Sequence, residues 1–112
     1  MKYIKRWKVE YWAPGKGKSP IEKWLDKLTK EELRSLAKEI MMLEQIGNEL
    51  KLPHSKALGK GLFEIRERRF GLRMYYGFRG ELVVVVLAAG DKKSQEKDIA
   101  ISRKRLSEIE EE

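Results

Sequence analysis

Polar and apolar positions along this chain change rhythm several times, and each change predicts an element. From Tyr3 to Trp12 they alternate: Tyr3, Trp7, Val9 and Tyr11 share one face, with Lys5 the exception, while Arg6, Lys8 and Glu10 share the other. A period of two rich in aromatics predicts a strand. The segment APGKGK then breaks it with proline and glycine. Ser19, Pro20 and Glu22 form a helix-starting signature, and Ile21, Trp24, Leu25 and Leu28 follow at helical spacing. Thr29 and Glu32 repeat the capping pattern at once. Leu33, Leu36, Ala37, Ile40, Leu43 and Ile46 then extend a longer amphipathic helix to Gly47 and Asn48. Two helices joined almost without a loop predict a helical hairpin laid on a sheet.

Residues 49–60, with Pro53, His54 and Gly59, are expected to form a loop. Alternation returns at Leu62, where Phe63 and Ile65 point one way and Glu64, Arg66 and Arg68 the other. In the next strand Leu72, Met74, Tyr76 and Phe78 oppose Arg73, Tyr75 and Arg79. Arg79-Gly80 makes a turn, and residues 81–89 are apolar without alternation, as in a strand covered on both faces. Residues 98–110 carry Ile99, Leu106 and Ile109 on a weaker amphipathic helix. The predicted order is β-α-α-β-β-β-α: one α+β domain over residues 1–112, with an antiparallel sheet and the two N-terminal helices packed on one face.

Composition narrows the chemistry. The chain has 112 residues, 38% charged and 41% hydrophobic, enough for one modest core and too apolar for wholesale disorder. Its longest apolar run, Leu82 to Ala89, is too short to span a bilayer, and the N-terminus lacks the pattern of a signal peptide. No membrane partner is expected, and the absence of cysteine suits a reducing cytoplasm. With His54 as the lone histidine, no metal site and no cofactor are expected. GKGKS between the first strand and helix is not a phosphate-binding P-loop, because the first glycine of that motif would fall on Trp12.

Net charge is +7, and its distribution is uneven: residues 51–79 hold eight Lys and Arg against only Glu64 and Glu67, so an anionic partner would meet that stretch first. Antiparallel pairing gathers Arg66 and Arg68 near Arg73, with Arg79 on the same strand, on the face away from the two helices. Like charges placed together on a sheet repel unless something anionic offsets them. Glu64 offers one answer, a salt-bridged surface; phosphate offers the other, since the arginine fork binds phosphate oxygens bidentately. Tyr75 on the same polar side is a candidate stacking residue for a base.

Four segments in order, SPIEKWLDKL (19–28), LGKGLFEIR (58–66), GLRMYY (71–76) and AGDKKSQEKDI (89–99), resemble the RelE/HigB superfamily of type II toxins. The HigB-like branch, described as addiction-module killer proteins, is the nearest in pattern. The resemblance covers nearly all of the chain after residue 14. It implies a cytoplasmic toxin, paired with a cognate antitoxin of helix-turn-helix, HigA-like type, that binds the ribosome and cleaves translated mRNA. Such an endoribonuclease is metal-independent: the ribose 2′-hydroxyl attacks its own phosphate. By the same resemblance Arg66 and Arg73 would stabilise charge at phosphorus and Lys92 or Lys93 would move protons. The basic face itself adds Lys56, behind those lysines as a further base, and makes Lys56, Arg68, Tyr75, Arg79 and Gln95 the expected RNA contacts. The chain departs from the family pattern at Ala89, where many relatives have glycine, and in the turn before Arg73. It also lacks a tyrosine or histidine after Tyr76. Two other classes share the basic sheet: a ParE-like gyrase inhibitor, which cuts no RNA, and a non-catalytic RNA-binding or interaction module.

Overall fold

A computed structural model describes residues 6–110, without the side chain of Glu110. Five strands form one sheet in the order β1-β5-β4-β3-β2, flanked by three helices. The first strand, β1 (Lys8–Tyr11), begins after the described chain opens, so the alternating positions Tyr3 and Lys5 lie outside the described residues.

The helix signals act where the side chains demand. Ser19 Oγ accepts from the N–H of Ile21 and of Glu22 and starts α1 (Pro20–Asp26). Thr29 and Glu32 close a full capping box on α2 (Lys30–Ile46): Thr29 Oγ1 accepts from Glu32 N–H at 3.1 Å, and Glu32 Oε1 accepts from Thr29 N–H at 2.9 Å. Gly47 ends α2 with φ of 47°, and an added Cβ would sit 2.0 Å from the Trp7 ring. Both the backbone and the close approach of Trp7, just before β1, require glycine there.

Three features depart from the sequence expectation. Residues 55–59 are not loop but a strand, β2 (Ser55–Gly59), antiparallel to β3 (Leu62–Glu67). This edge strand buries little beyond Ser55, so no hydrophobic period marks it. The sheet is mixed, not antiparallel throughout: β1 runs parallel to β5 (Val83–Gly90), while β3, β4 (Leu72–Phe78) and β5 form the expected antiparallel meander. Periodicity reports which faces are buried and is silent on strand direction. Finally, α3 (Gln95–Glu110) covers the sheet face opposite α1 and α2, so the arginine-bearing face is not bare.

The sheet thus has two cores. On the side of α1 and α2, Ile21, Leu36 and Leu43 pack with Ile65, Met74, Tyr76, Val84 and Val86. On the other side, Leu62, Tyr75, Val85, Leu87 and Ala88 pack with Leu106 of α3. A register shift between Tyr75 and Tyr76 leaves Leu87 extra on β5, which lets Leu87 and Ala88 both serve the α3 side. Each large side chain so buried contributes about 1.5–3 kcal/mol. This is why the apolar run of β5, in the middle of the sheet, shows no alternation.

Candidate functional site: a paired-arginine cluster

Strands β3 and β4 place Arg66 directly opposite Arg73 and Glu64 directly opposite Tyr75, while β2 places Lys56 opposite Glu64. All project from the α3 side of the sheet by the strand period. Glu64 is fully buried at the centre. Its Oε1 accepts from Arg66 Nε at 2.7 Å, and its Oε2 accepts from Gln95 Nε2 at 2.8 Å. Arg73 Nε lies 3.7 Å from the same Oε2, within reach of its charge but beyond a hydrogen bond, and this buried nitrogen has no other acceptor among the described residues.

The two guanidiniums differ in exposure: the Arg66 side chain is 33% exposed and that of Arg73 11%. Together with Arg68 and Gly71 they line a depression of about 150 Å³ at the β3–β4 end of the sheet. Neither arginine uses its terminal nitrogens on a described residue, so both forks are left for an outside acceptor. A second, smaller depression, bounded by Pro53, His54, Lys56, Glu64, Arg66 and Arg68, adjoins the first.

Glu64 offsets part of the charge within the cluster. Burial alone would raise its carboxyl, but the hydrogen bonds from Arg66 and Gln95, with the charges of Arg66 and Arg73, outweigh that and hold it below the ordinary range. Tyr75 goes the other way. Burial first, then the Glu64 carboxylate beside it, push its phenol far above the ordinary value. It remains a protonated phenol, and its buried hydroxyl completes no hydrogen bond of ordinary geometry.

The turn after β5 brings the other predicted residues to this end of the sheet, since Gly90 pairs with Arg73. Asp91 Oδ1 accepts from the N–H groups of Lys93 and Ser94, folding the turn back so that Lys92 and Lys93 stand exposed. Ser94 Oγ donates to Asp98 Oδ2 at 2.6 Å. A Cβ on Gly90 would lie 2.3 Å from both of those oxygens, so the glycine of the GDK turn lets α3 start this close to the sheet.

Of the residues expected to touch RNA, Lys56, Arg68 and Gln95 belong to this end of the molecule. Arg68 donates to the Pro53 carbonyl at 2.9 Å, and Gln95 is turned inward onto Glu64. Tyr75 does not offer a stacking face: it is fully buried in the core that includes Leu106 of α3. Arg79 is not part of the arginine face either. It follows the far end of β4 and pairs with Glu10 of β1. Alternation put both residues on the polar side, but it could not see that α3 covers one and that strand length separates the other. His54, expected in a loop, holds that loop to α2 by a hydrogen bond between Nδ1 and Glu39 Oε1 at 3.4 Å.

Among the described residues no group of three or more His, Asp or Glu side chains gathers as a metal site, and no helix is long and apolar enough to cross a membrane. Fold and site together define a small α+β domain with a paired-arginine cluster at one end of a mixed sheet. Its sequence is placed more narrowly: residues 23–111 match the family described as phage derived protein Gp49-like (DUF891), and the chain belongs to that family. An uncharacterized protein of Haemophilus influenzae is 32% identical over 92 residues, spanning 80% of this chain and 88% of that protein.

Proposed function

We propose that this chain is the toxin of a type II toxin–antitoxin pair of the RelE/HigB kind, and that it cleaves translated mRNA at the ribosome. Membership of the Gp49-like family is consistent with a toxin. The observation that carries the cleavage reading is the pair of opposed guanidiniums whose terminal nitrogens remain unused beside an open depression. Attack of a ribose 2′-hydroxyl on the adjacent phosphate builds negative charge on the phosphorane oxygens. Two fixed, permanently charged forks stabilise that charge, an effect worth about 10²- to 10³-fold per preorganised donor.

Proton transfer falls to the lysines. Lys92 and Lys93 stand exposed on the turn beyond Arg73, and Lys56 stands across the strand pair from Glu64. Tyr75 is excluded as a base because its phenol holds its proton throughout the physiological range. A site with charge stabilisation but flexible surface lysines depends on something else to place the RNA, and the ribosomal A site supplies that order. The partner set is then the ribosome with its mRNA and a cognate antitoxin of helix-turn-helix type that covers the cationic end, all in the cytoplasm.

Mapping transcript 5′ ends after induction without antitoxin tests this reading. Cuts inside translated codons are expected. Intact transcripts with lost DNA supercoiling would point to a gyrase inhibitor, and intact transcripts with normal supercoiling to a non-catalytic RNA-binding module.

A further inference from the structure

Arg66 and Arg73 are direct cross-strand partners, the arrangement in which like charges repel most on a sheet. What holds them there is one carboxylate with no exposure to solvent. Glu64 meets each arginine at Nε rather than at the fork: a hydrogen bond of 2.7 Å to Arg66, and a purely electrostatic approach of 3.7 Å to Arg73. Its second oxygen is fixed by the first residue of α3, Gln95, at 2.8 Å.

We propose that Glu64 is a positioning residue of the arginine site: it orients the two guanidiniums through Nε, leaves their forks for phosphate, and cancels half of their charge, with Gln95 locking it in place. What the oriented arginines then accomplish rests on the RNA-cleaving reading. That Glu64 orients them and offsets their charge does not.

The two roles pull in opposite directions when Glu64 loses its charge, and this makes them separable. Two guanidiniums without a counter-charge attract polyanions more strongly, and each added phosphate contact steepens the salt dependence of single-strand binding by about 0.7. The same change releases their orientation, and a misplacement on the order of 1 Å can cost about 10²-fold in rate. A carboxylate that merely supports the fold would lower binding and cleavage together, in step with the folded fraction.

The experiment compares wild type with Glu64→Gln and Gln95→Ala. Binding of a short single-stranded RNA is measured across a salt series, and cleavage is measured on an mRNA in a ribosome-containing translation reaction. Glu64→Gln is expected to bind the RNA at least as tightly as wild type, with a steeper salt slope, while cleavage falls about 100-fold. Gln95→Ala keeps the carboxylate, so its salt slope should match wild type while cleavage drops several-fold. If Glu64→Gln does not fold, Gln95→Ala alone decides. Wild-type cleavage by either folded variant overturns the proposal, as does parallel loss of binding and cleavage. Should wild type itself cleave nothing, the RNA-cleaving reading fails, and the salt slope of Glu64→Gln still decides whether Glu64 offsets the arginine charge.

Discussion

Two glutamates on β3, three residues apart, are both buried and could hardly be used more differently. Glu67 faces α2. Its oxygens accept from the backbone N–H groups of Arg69 and Phe70, from that of Leu72 at 3.5 Å, and from the Ser35 hydroxyl at 2.5 Å. Glu64 faces α3, and every donor it meets is a side chain: Arg66, Gln95 and, by charge alone, Arg73. A carboxylate held by backbone N–H groups closes a turn and is committed to the fold, because those donors cannot move without unfolding the hairpin. One held by arginines shares them with whatever else reaches their free nitrogens. The molecule keeps its structural acid and its site acid on opposite faces of one strand.

The sharpest break in that contrast is Glu67→Ala. It strands several donors of the β3–β4 turn at once, the buried Leu72 N–H and the part-buried N–H groups of Arg69 and Phe70. Each costs up to about 1–3 kcal/mol, so stability should fall by about 3 kcal/mol in urea denaturation with an unchanged slope. Glu64→Gln should cost less, about 1–2 kcal/mol, because the Arg66 guanidinium is one-third exposed and can turn to water. If the two variants lose the same stability, the division between fold acid and site acid is wrong.

Acidity supplies a smaller, directional effect. The carboxyl of Glu64 is held below the ordinary 4.5 of a glutamate, so its charged form stabilises the folded state above that pH. The contribution disappears as pH falls through the lower, native value. The stability gap between wild type and Glu64→Gln should therefore narrow on acidification below about pH 4.5. A gap that widens in acid urea titrations would reverse the sign assigned to the cluster.

Least affected should be Arg79→Ala. Arg79, just past the far end of β4, and Glu10 of β1 form another arginine–glutamate pair, yet both are partly exposed. Such pairs contribute about 0–1 kcal/mol. The variant should change the urea midpoint little and leave mRNA cleavage at the wild-type rate; a loss of cleavage would extend the site across the sheet.

Much of this arrangement can be read in the residues themselves. Ser19 and Thr29 announce α1 and α2 because capping is local chemistry, and the periods of β3 and β4 put Glu64, Arg66 and Arg73 on one face because alternation is local geometry. What escaped is set by distant parts of the chain. β2 is too short and too polar at the sheet edge to carry a period, and β1 joins β5 in parallel only after two helices and three strands have intervened. Tyr75 reads as an exposed polar-side residue until α3 folds over it. Glu64 was visible as a salt-bridge partner, but its complete burial and its bond to Gln95, thirty-one residues on, arise only when α3 docks.

The reading of the arginine pair as a phosphate clamp meets its most direct test in Arg73→Ala, expressed beside wild type without the antitoxin. Wild type should arrest growth, and the variant should grow with at least 100-fold less transcript cleavage, the loss expected for one preorganised charge donor. Growth arrest by Arg73→Ala at the wild-type rate would contradict it.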